Sequence, residues 1–263
     1  MPDFTLTPEI RDIRKRTRDF MDEFIYPNEP FFLDEHGDNG KREALMKDLQ
    51  ARTKAMGMWA PHLPAEAGGM NIGFMKYVYM NEILGRSPVA PRAFGAQAPD
   101  SGNAEILHQF GTAELKEKFM KPLVAGEVRS CFSMTEPENP GSDPTTLQGR
   151  AVRDGDEWVI NAHKWFSSGA IGASFAIAML VTDPESPPHR RMSQIIVPLD
   201  TPGVDIVRSV PVMGETAGNH AEIWYRDVRV PVTYTLGNPG DGFMIAQKRL
   251  GPGRIHHCMR WLG

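Results

Sequence analysis

Residues 129–143, RSCFSMTEPENPGSD, differ in composition from the rest of the chain and mark its change from helices to strands. We expect a β-strand that ends at Thr135, followed by a loop rich in proline, glycine and small hydroxyl residues. A loop of this kind exposes backbone amides and hydroxyls, which can hold a phosphate group or the edge of a heteroaromatic ring. The same composition is also typical of a plain connection between two strands, so the loop alone leaves both interpretations open.

A second segment, NAHKWFSSGA, lies at residues 161–170. Its two adjacent aromatic residues, Trp165 and Phe166, precede two serines and a glycine. Aromatic faces can wall a planar cofactor, and a serine hydroxyl can donate a hydrogen bond to a ring nitrogen. Taken by itself, the segment also fits an ordinary strand that buries one aromatic side chain.

The hydrophobic period of the chain changes near residue 130. Before this point the pattern predicts a first helix that starts at Thr7-Pro8, and then helices at residues 41–56, 74–84, 101–110 and 112–120. After it, the pattern predicts strands at residues 131–135, 147–153, 157–161, 175–181, 194–197, 204–212 and 221–230, and a helix at 243–250.

This order of elements predicts an α+β fold with three parts. They are an N-terminal helical domain at residues 1–128, a middle antiparallel β-sandwich or barrel domain at 129–236, and the beginning of a C-terminal helical bundle at 237–263.

Composition narrows the class of protein. The 263 residues are 41% hydrophobic and 24% charged, with a net charge of −4 that lacks the broad basic field of nucleic-acid-binding proteins. Two cysteines do not make a disulfide framework, and the start of the chain has no secretion signal, so we expect a cytoplasmic location. The sequence contains no G-x-G-x-x-G, P-loop, H-E-x-x-H or G-x-S-x-G motif, so a bound nucleotide would not be held by a Rossmann fingerprint.

Together, the two segments resemble the acyl-CoA dehydrogenase family, whose middle domain carries a strand ending in T-E-P, a Gly/Ser turn and a later K-x-W-x-T/S patch. The resemblance continues through residues 57–69, GMWAPHLPAEAGG, and residues 221–231, AEIWYRDVRVP. Gly253-Arg254 lies where the family begins its third domain, so the resemblance covers essentially the whole chain.

The resemblance implies FAD as cofactor and an acyl-CoA thioester as substrate. In the family, a carboxylate removes the α-proton while the β-hydrogen leaves as hydride to the flavin. The flavin-binding positions in this chain would be Phe132, Met134, Thr135, Trp165, Phe166 and Ser168. Of these, Thr135 would lie near the pyrimidine edge of the flavin, and Ser168 would donate to its N5.

The substrate-binding positions that the resemblance implies are Ser142, near the pyrophosphate and the CoA arm, and Gly253 and Arg254. Two departures from the family pattern affect these assignments. The loop at residues 135–143 is one residue longer than the usual form, which shifts the register of Ser142. Phe166 stands where the family has tryptophan, and it has no indole N–H.

The catalytic base is expected beyond Gly263. The family's early base position aligns with Gly253, which has no side chain, so we expect an incomplete third domain and a chain that is inactive by itself. The resemblance further implies a homodimer or homotetramer and an electron-transferring flavoprotein as electron acceptor. It does not predict the length or branching of the acyl chain.

Other candidate residues favour ordinary structural roles. His256 and His257 are adjacent on a predicted helix and diverge by about 100°, which argues against a metal site, and we expect none. Cys131 is predicted to be a small apolar group in a strand, and Glu136 a turn residue rather than a base. Two alternative functions stay open: an acyl-CoA or nitroalkane oxidase of the same architecture, and a non-catalytic acyl-CoA-binding protein.

Overall fold

The computed structural model describes residues 5–34, 36–213 and 219–263. The chain divides into two compact units. The first, here the helical unit, comprises Met1–Ser101 and Gly251–Gly263, and the second, the sheet unit, comprises Gly102–Leu250.

The helical unit begins as predicted. Thr7 caps the first helix, α1, because its hydroxyl oxygen accepts a hydrogen bond from the Ile10 amide at 3.3 Å, and Pro8 occupies the first turn. The α-helices described wholly within this unit are α1 Pro8–Phe20, α2 Glu29–Leu33, α3 Asn39–Ala55, α4 Phe74–Leu84 and α5 Ala90–Ala93, with a π-helix at Met21–Ile25 and a 3-10 helix at Ala65–Ala67.

Two predicted helices of this unit are confirmed, since α3 and α4 lie at the predicted positions. The short helix α2 was not predicted, and Pro30 lies in its first turn, where proline is tolerated. The core is made of large apolar side chains, among them Phe20, Leu49, Met80 and Phe94.

The sheet unit contains α7 Ala113–Leu115 and α8 Lys121–Ala125, most of α6 Asp100–Phe110, and the first turns of α9 Gly242–Leu262. Its described strands are β1 Ser130–Ser133, β2 Arg150–Asp154, β3 Glu157–Ser168, β4 Phe175–Val181, β5 Met192–Pro198, β6 Val204–Ser209, β7 His220–Pro231 and β8 Thr235–Leu236.

These strands form an eight-stranded sheet in the order β6-β7-β3-β2-β4-β5-β8, with β1 paired to β4. Among the described strands, five pairs are antiparallel, whereas the β1–β4 and β2–β4 pairs are parallel. The predicted α+β class, with a helical region followed by a sheet region, is confirmed. Strand β4 is buried along its whole length, which matches the continuous apolar run that predicted it.

Strand β3 carries the candidate site, and it is longer than predicted. It pairs with β7 from Glu157↔Pro231 to Ser168↔His220 instead of ending at residue 161. Within the residues that the structure describes, no helix is long and apolar enough to cross a membrane.

Candidate functional site

The two sequence segments that carry the resemblance meet in the sheet unit. The loop at residues 134–143, here the TEP loop, begins where β1 ends, and the backbone amide of Trp165 on β3 donates to the Thr135 carbonyl at 3.0 Å. Gly141 comes back against Thr135 so closely that a Cβ there would lie 2.9 Å from Thr135 Cγ2. Ser142 is the next residue in the chain and is exposed.

A buried ion pair fixes the start of this loop. The Lys164 ammonium donates to Glu136 Oε1 at 2.7 Å and to the carbonyls of Met134 and Met179, both at 2.8 Å. The side-chain exposures of Lys164 and Glu136 are 0% and 3%. A buried charge needs partners of this quality, because desolvation by itself is strongly unfavourable.

Glu136 is fully occupied by donors. Besides Lys164, it accepts from the backbone amides of Gln148 at 2.7 Å and Gly149 at 2.8 Å and from Asn139 Nδ2 at 2.7 Å. Burial raises the pKa of Glu136, but the Lys164 charge and these hydrogen bonds outweigh it, so the pKa lies below its ordinary value. A carboxylate held in this way positions the loop and has no lone pair directed to a substrate proton.

The close approach of Gly149 explains why this position is glycine. A Cβ there would lie 2.7 Å from Glu136 Oε1 and 2.7 Å from the Ala162 Cβ, so any larger residue would displace the carboxylate.

Strand β3 is bulged directly after Lys164. Its register to β7 shifts between Lys164 and Ser167, and Phe166 has a φ of +49°, which is uncommon for a large side chain. The Phe166 side chain is 39% exposed, and its ring lies 4.7 Å from that of Trp165 at an interplanar angle of 58°. The bulge therefore presents an aromatic face to solvent, in an arrangement that is strained in backbone and typical of binding sites.

Ser168 ends β3 opposite the first residue of β7. Its Oγ lies 2.7 Å from His220 Nδ1 and 3.4 Å from the carbonyl oxygen of Phe166. Motif analysis singled out Ser168 but missed His220, because a lone histidine before an apolar strand carries no sequence signal of its own.

The ring of Phe132 on β1 packs against Arg249, a residue that the sequence motifs did not point to. The Arg249 guanidinium carbon is 4.2 Å from the Phe132 ring centroid, and Arg249 Nε donates to Asn103 Oδ1 at 3.0 Å. Asn103 in turn donates to Ser130 Oγ at 2.9 Å. Burial raises the pKa of Glu105 to about 7, and the Arg249 charge opposes this shift.

The remaining predicted site residues have the following surroundings. Met134 packs against a small apolar cluster that includes Met179 and Met192. Gly253 and Arg254 lie on the part of α9 that belongs to the helical unit, with Arg254 exposed. Their assignment to substrate, like that of the flavin positions, stays a prediction.

The residues expected to be structural are placed as follows. Cys131 is buried in β1, and on α9 His256 is buried while His257 is exposed. Among residues 5–34, 36–213 and 219–263, no group of three or more histidine, cysteine, aspartate or glutamate side chains is arranged to hold a metal ion.

Comparison with known proteins identifies the family. Residues 7–127 match the family model of the acyl-CoA dehydrogenase N-terminal domain, and residues 131–228 match that of the acyl-CoA dehydrogenase middle domain. The chain belongs to the acyl-CoA dehydrogenase family. The resemblance drawn from the TEP loop and the bulged strand is thereby confirmed.

Two curated family members illustrate the similarity. The chain is 42% identical to Probable acyl-CoA dehydrogenase FadE2 of Mycobacterium tuberculosis over 99% of its own length and 65% of that protein. It is 39% identical to mouse acyl-CoA dehydrogenase family member 10, over 98% of this chain and 25% of that protein. The chain thus spans less than two thirds of the length of these acyl-CoA dehydrogenase relatives.

Solved structures of the family have the same fold. The butyryl-CoA dehydrogenase of Megasphaera elsdenii is 29% identical, with a TM-score of 0.80, over 98% of this chain and 66% of that one. An acyl-CoA dehydrogenase of Geobacillus kaustophilus is 27% identical, with a TM-score of 0.77, over 98% and 66% of the two chains.

Proposed function

We propose that this chain carries the FAD-binding part of an enzyme that dehydrogenates acyl-CoA thioesters between the α and β carbons. The observation that carries the proposal is the bulged end of β3, residues 164–168. There an exposed aromatic ring, a serine hydroxyl and the TEP loop converge within a few residues of one another. Family membership supports FAD rather than another planar cofactor.

The donor set at this site fits a flavin. A flavin ring has an apolar face that stacks on aromatic side chains, and polar edges that take hydrogen bonds. Phe166, with Trp165 beside it, would cover the face, while the hydroxyls of Thr135 and Ser168 would meet the polar edges. Met134 and Phe132 would complete the wall through the strand that leads into the TEP loop.

When bound, FAD supplies a hydride acceptor, which no side chain can replace. The chain's own residues would hold and orient the cofactor and the substrate. The Lys164–Glu136 pair keeps the Thr135 segment at a fixed distance from β3, and the bulge holds Phe166 outward. Ser142 would contact the pyrophosphate and CoA arm, and Gly253 and Arg254 would contact the substrate.

Turnover also requires a base for the α-proton, a role that Glu136 does not fit because its oxygens already accept four hydrogen bonds. An electron-transferring flavoprotein as acceptor and a homodimeric or homotetrameric assembly belong to the same proposal. Each follows from family membership and is tested separately from FAD binding.

The test is the visible absorption of the purified protein. We expect the yellow band of oxidised flavin after incubation with FAD and removal of the excess. We also expect acyl-CoAs to bleach this band in a protein that dehydrogenates them. A colourless protein that binds acyl-CoA would favour the non-catalytic alternative, and rapid reoxidation of the bleached flavin by air would favour an oxidase.

A further inference from the structure

The Ser168–His220 contact gives a role to a residue outside the sequence motifs. The two residues face each other at the end of the β3–β7 ladder, with 2.7 Å between Ser168 Oγ and His220 Nδ1. This distance is short for a hydrogen bond between neutral groups, so the pair is well formed. The direction of the bond decides what Ser168 can do.

A serine hydroxyl has one proton and two lone pairs. If His220 Nδ1 carries no proton, Ser168 must give its only proton to the imidazole and has none for a ligand. If Nδ1 is protonated, the imidazole donates to Ser168 and the hydroxyl proton is free. The Phe166 carbonyl is then the remaining acceptor, at 3.4 Å, which is at the weak end of the range.

The backbone holds both partners in place. The residue before His220, Asn219, accepts from the Gly169 amide at 2.7 Å through its carbonyl and from the Ile171 amide at 3.0 Å through its side chain. The His220 carbonyl accepts from the Val210 amide at 2.8 Å. The strand ends that present Ser168 and His220 are thus tied together on both sides of the contact.

We propose that His220 is a positioning residue, protonated at Nδ1, that turns the Ser168 hydroxyl proton outward to donate to N5 of the flavin. The inference rests on the proposed function, since it requires FAD at the bulged end of β3. Both the neutral Nδ1–H tautomer and the imidazolium can serve as donor, so the role does not depend on the charge of His220.

The first test needs no flavin. In the full chain labelled with ¹⁵N-histidine, NMR should show that Nδ1 of His220 is protonated, and Ser168→Ala should shift that signal. A His220 whose Nδ1 is unprotonated would overturn the inference.

The second test measures the flavin reduction equilibrium in the FAD-loaded protein. Ser168→Ala should shift it toward oxidised flavin by about three- to ten-fold, the range for one lost hydrogen bond. His220→Val should shift it in the same direction by a smaller factor, because the unheld Ser168 hydroxyl then divides its proton between the flavin and the Phe166 carbonyl. His220→Asn should stay within about two-fold of the parent, because the Asn amide can donate from nearly the same position.

The double variant isolates the coupling. If His220 acts through Ser168, adding His220→Val to Ser168→Ala should have no further effect, because Ser168→Ala has already removed the hydroxyl that His220 positions. A His220→Val protein that binds FAD and has the parent's equilibrium would overturn the inference and leave the proposed function standing. A parent chain that binds no FAD would overturn both.

Discussion

A buried ion pair of the sheet unit and two histidines of the helical unit with buried ring nitrogens differ in their hydrogen-bond partners. In the sheet unit, Lys164 and Glu136 are buried and every charged atom has a partner. In the helical unit, both ring nitrogens of His62 and the Nε2 of His256 are buried without a hydrogen-bond partner among the described residues. A partnered pair fixes the geometry of a loop, whereas an unpartnered ring only has to remain neutral.

The surroundings of the two histidines explain their neutrality. The His62 and His256 rings lie 6.0 Å and 4.6 Å from the ring of Tyr77. Burial lowers the pKa of His62 to about 3, helped by the charges of His256 and Arg260. Burial, and after it the nearby charge of Arg260, lowers the pKa of His256 to about 4. Burial of a polar side chain therefore does not by itself mark a functional site, and its hydrogen-bond partners have to be examined.

The largest effect is expected from breaking the partnered pair. Lys164→Met leaves the Glu136 carboxylate buried without its counter-ion, which should cost about 3–5 kcal/mol of unfolding free energy. The measurement is hydrogen exchange of the β3 and β4 amides, which reports on the sheet unit alone. The double variant Lys164→Met/Glu136→Gln is the control and should recover much of the loss, because it removes the uncompensated charge. Equal stability of the parent and Lys164→Met would contradict this account.

A smaller effect is expected from acid on the helical unit. Above the ordinary histidine pKa of 6.5, both histidines are neutral in the folded and unfolded states. Below it, the unfolded chain takes up protons that the folded unit does not, so stability falls as the pH falls. Between pH 6.5 and about pH 5, each histidine should cost about 2 kcal/mol.

The variant His62→Phe should lower by one the number of protons taken up on unfolding, and so reduce the slope of stability against pH. It keeps an aromatic ring beside Tyr77 and cannot titrate. The check is urea unfolding of the helical unit at a series of pH values, with His36→Gln as the control because His36 is exposed. An unchanged pH slope in His62→Phe would mean that His62 is not held neutral in the folded unit.

The smallest effect is expected at His163, the neighbour of Lys164 on β3. Its ring stacks on Trp224 at 3.8 Å, and its nitrogens lie 2.6 Å from Glu138 Oε1 and 2.9 Å from Glu222 Oε1. Hydrogen bonds from His163 and Arg208 hold the pKa of Glu222 below its ordinary value.

Because the Glu138 end of this arrangement is exposed, His163→Phe should cost no more than about 1 kcal/mol, and added salt should reduce the difference. Phenylalanine preserves the stack on Trp224, so the change isolates the polar contacts. If His163→Phe lost as much unfolding free energy as Lys164→Met, solvent exposure would not explain why the His163–Glu138 pair is weaker than the Lys164–Glu136 pair.

The sequence predicted those parts of the fold that depend on local pattern. The buried run of β4 and the capped start of α1 have strong local signals and lie where they were expected. The length of β3 could not be predicted, because its second half is a strand only through pairing with β7 and is interrupted by a bulge. Parallel pairing of β1 with β4 is equally a tertiary property.

The residues of the candidate site likewise divide into those with a local sequence signal and those that only the tertiary fold brings together. The sequence motifs pointed to Thr135, Phe166 and Ser168, whose roles toward a flavin stay predictions. They did not point to His220 or Arg249, which reach the site from strands and helices distant in sequence. Lys164 lay inside a quoted motif, but its role depends on a carboxylate 28 residues earlier and on two carbonyl groups that only the fold brings together.

A fluorescence titration of the purified protein with FAD tests whether the bulged end of β3 holds this cofactor. We predict saturable binding that Phe166→Ala weakens by about tenfold, the loss of one aromatic stacking contact. Val152→Ala, which shortens another exposed apolar side chain of the same sheet, should leave the affinity unchanged. Absence of saturable binding, or equal affinity of the Phe166→Ala and Val152→Ala variants, would contradict FAD binding at this end of β3.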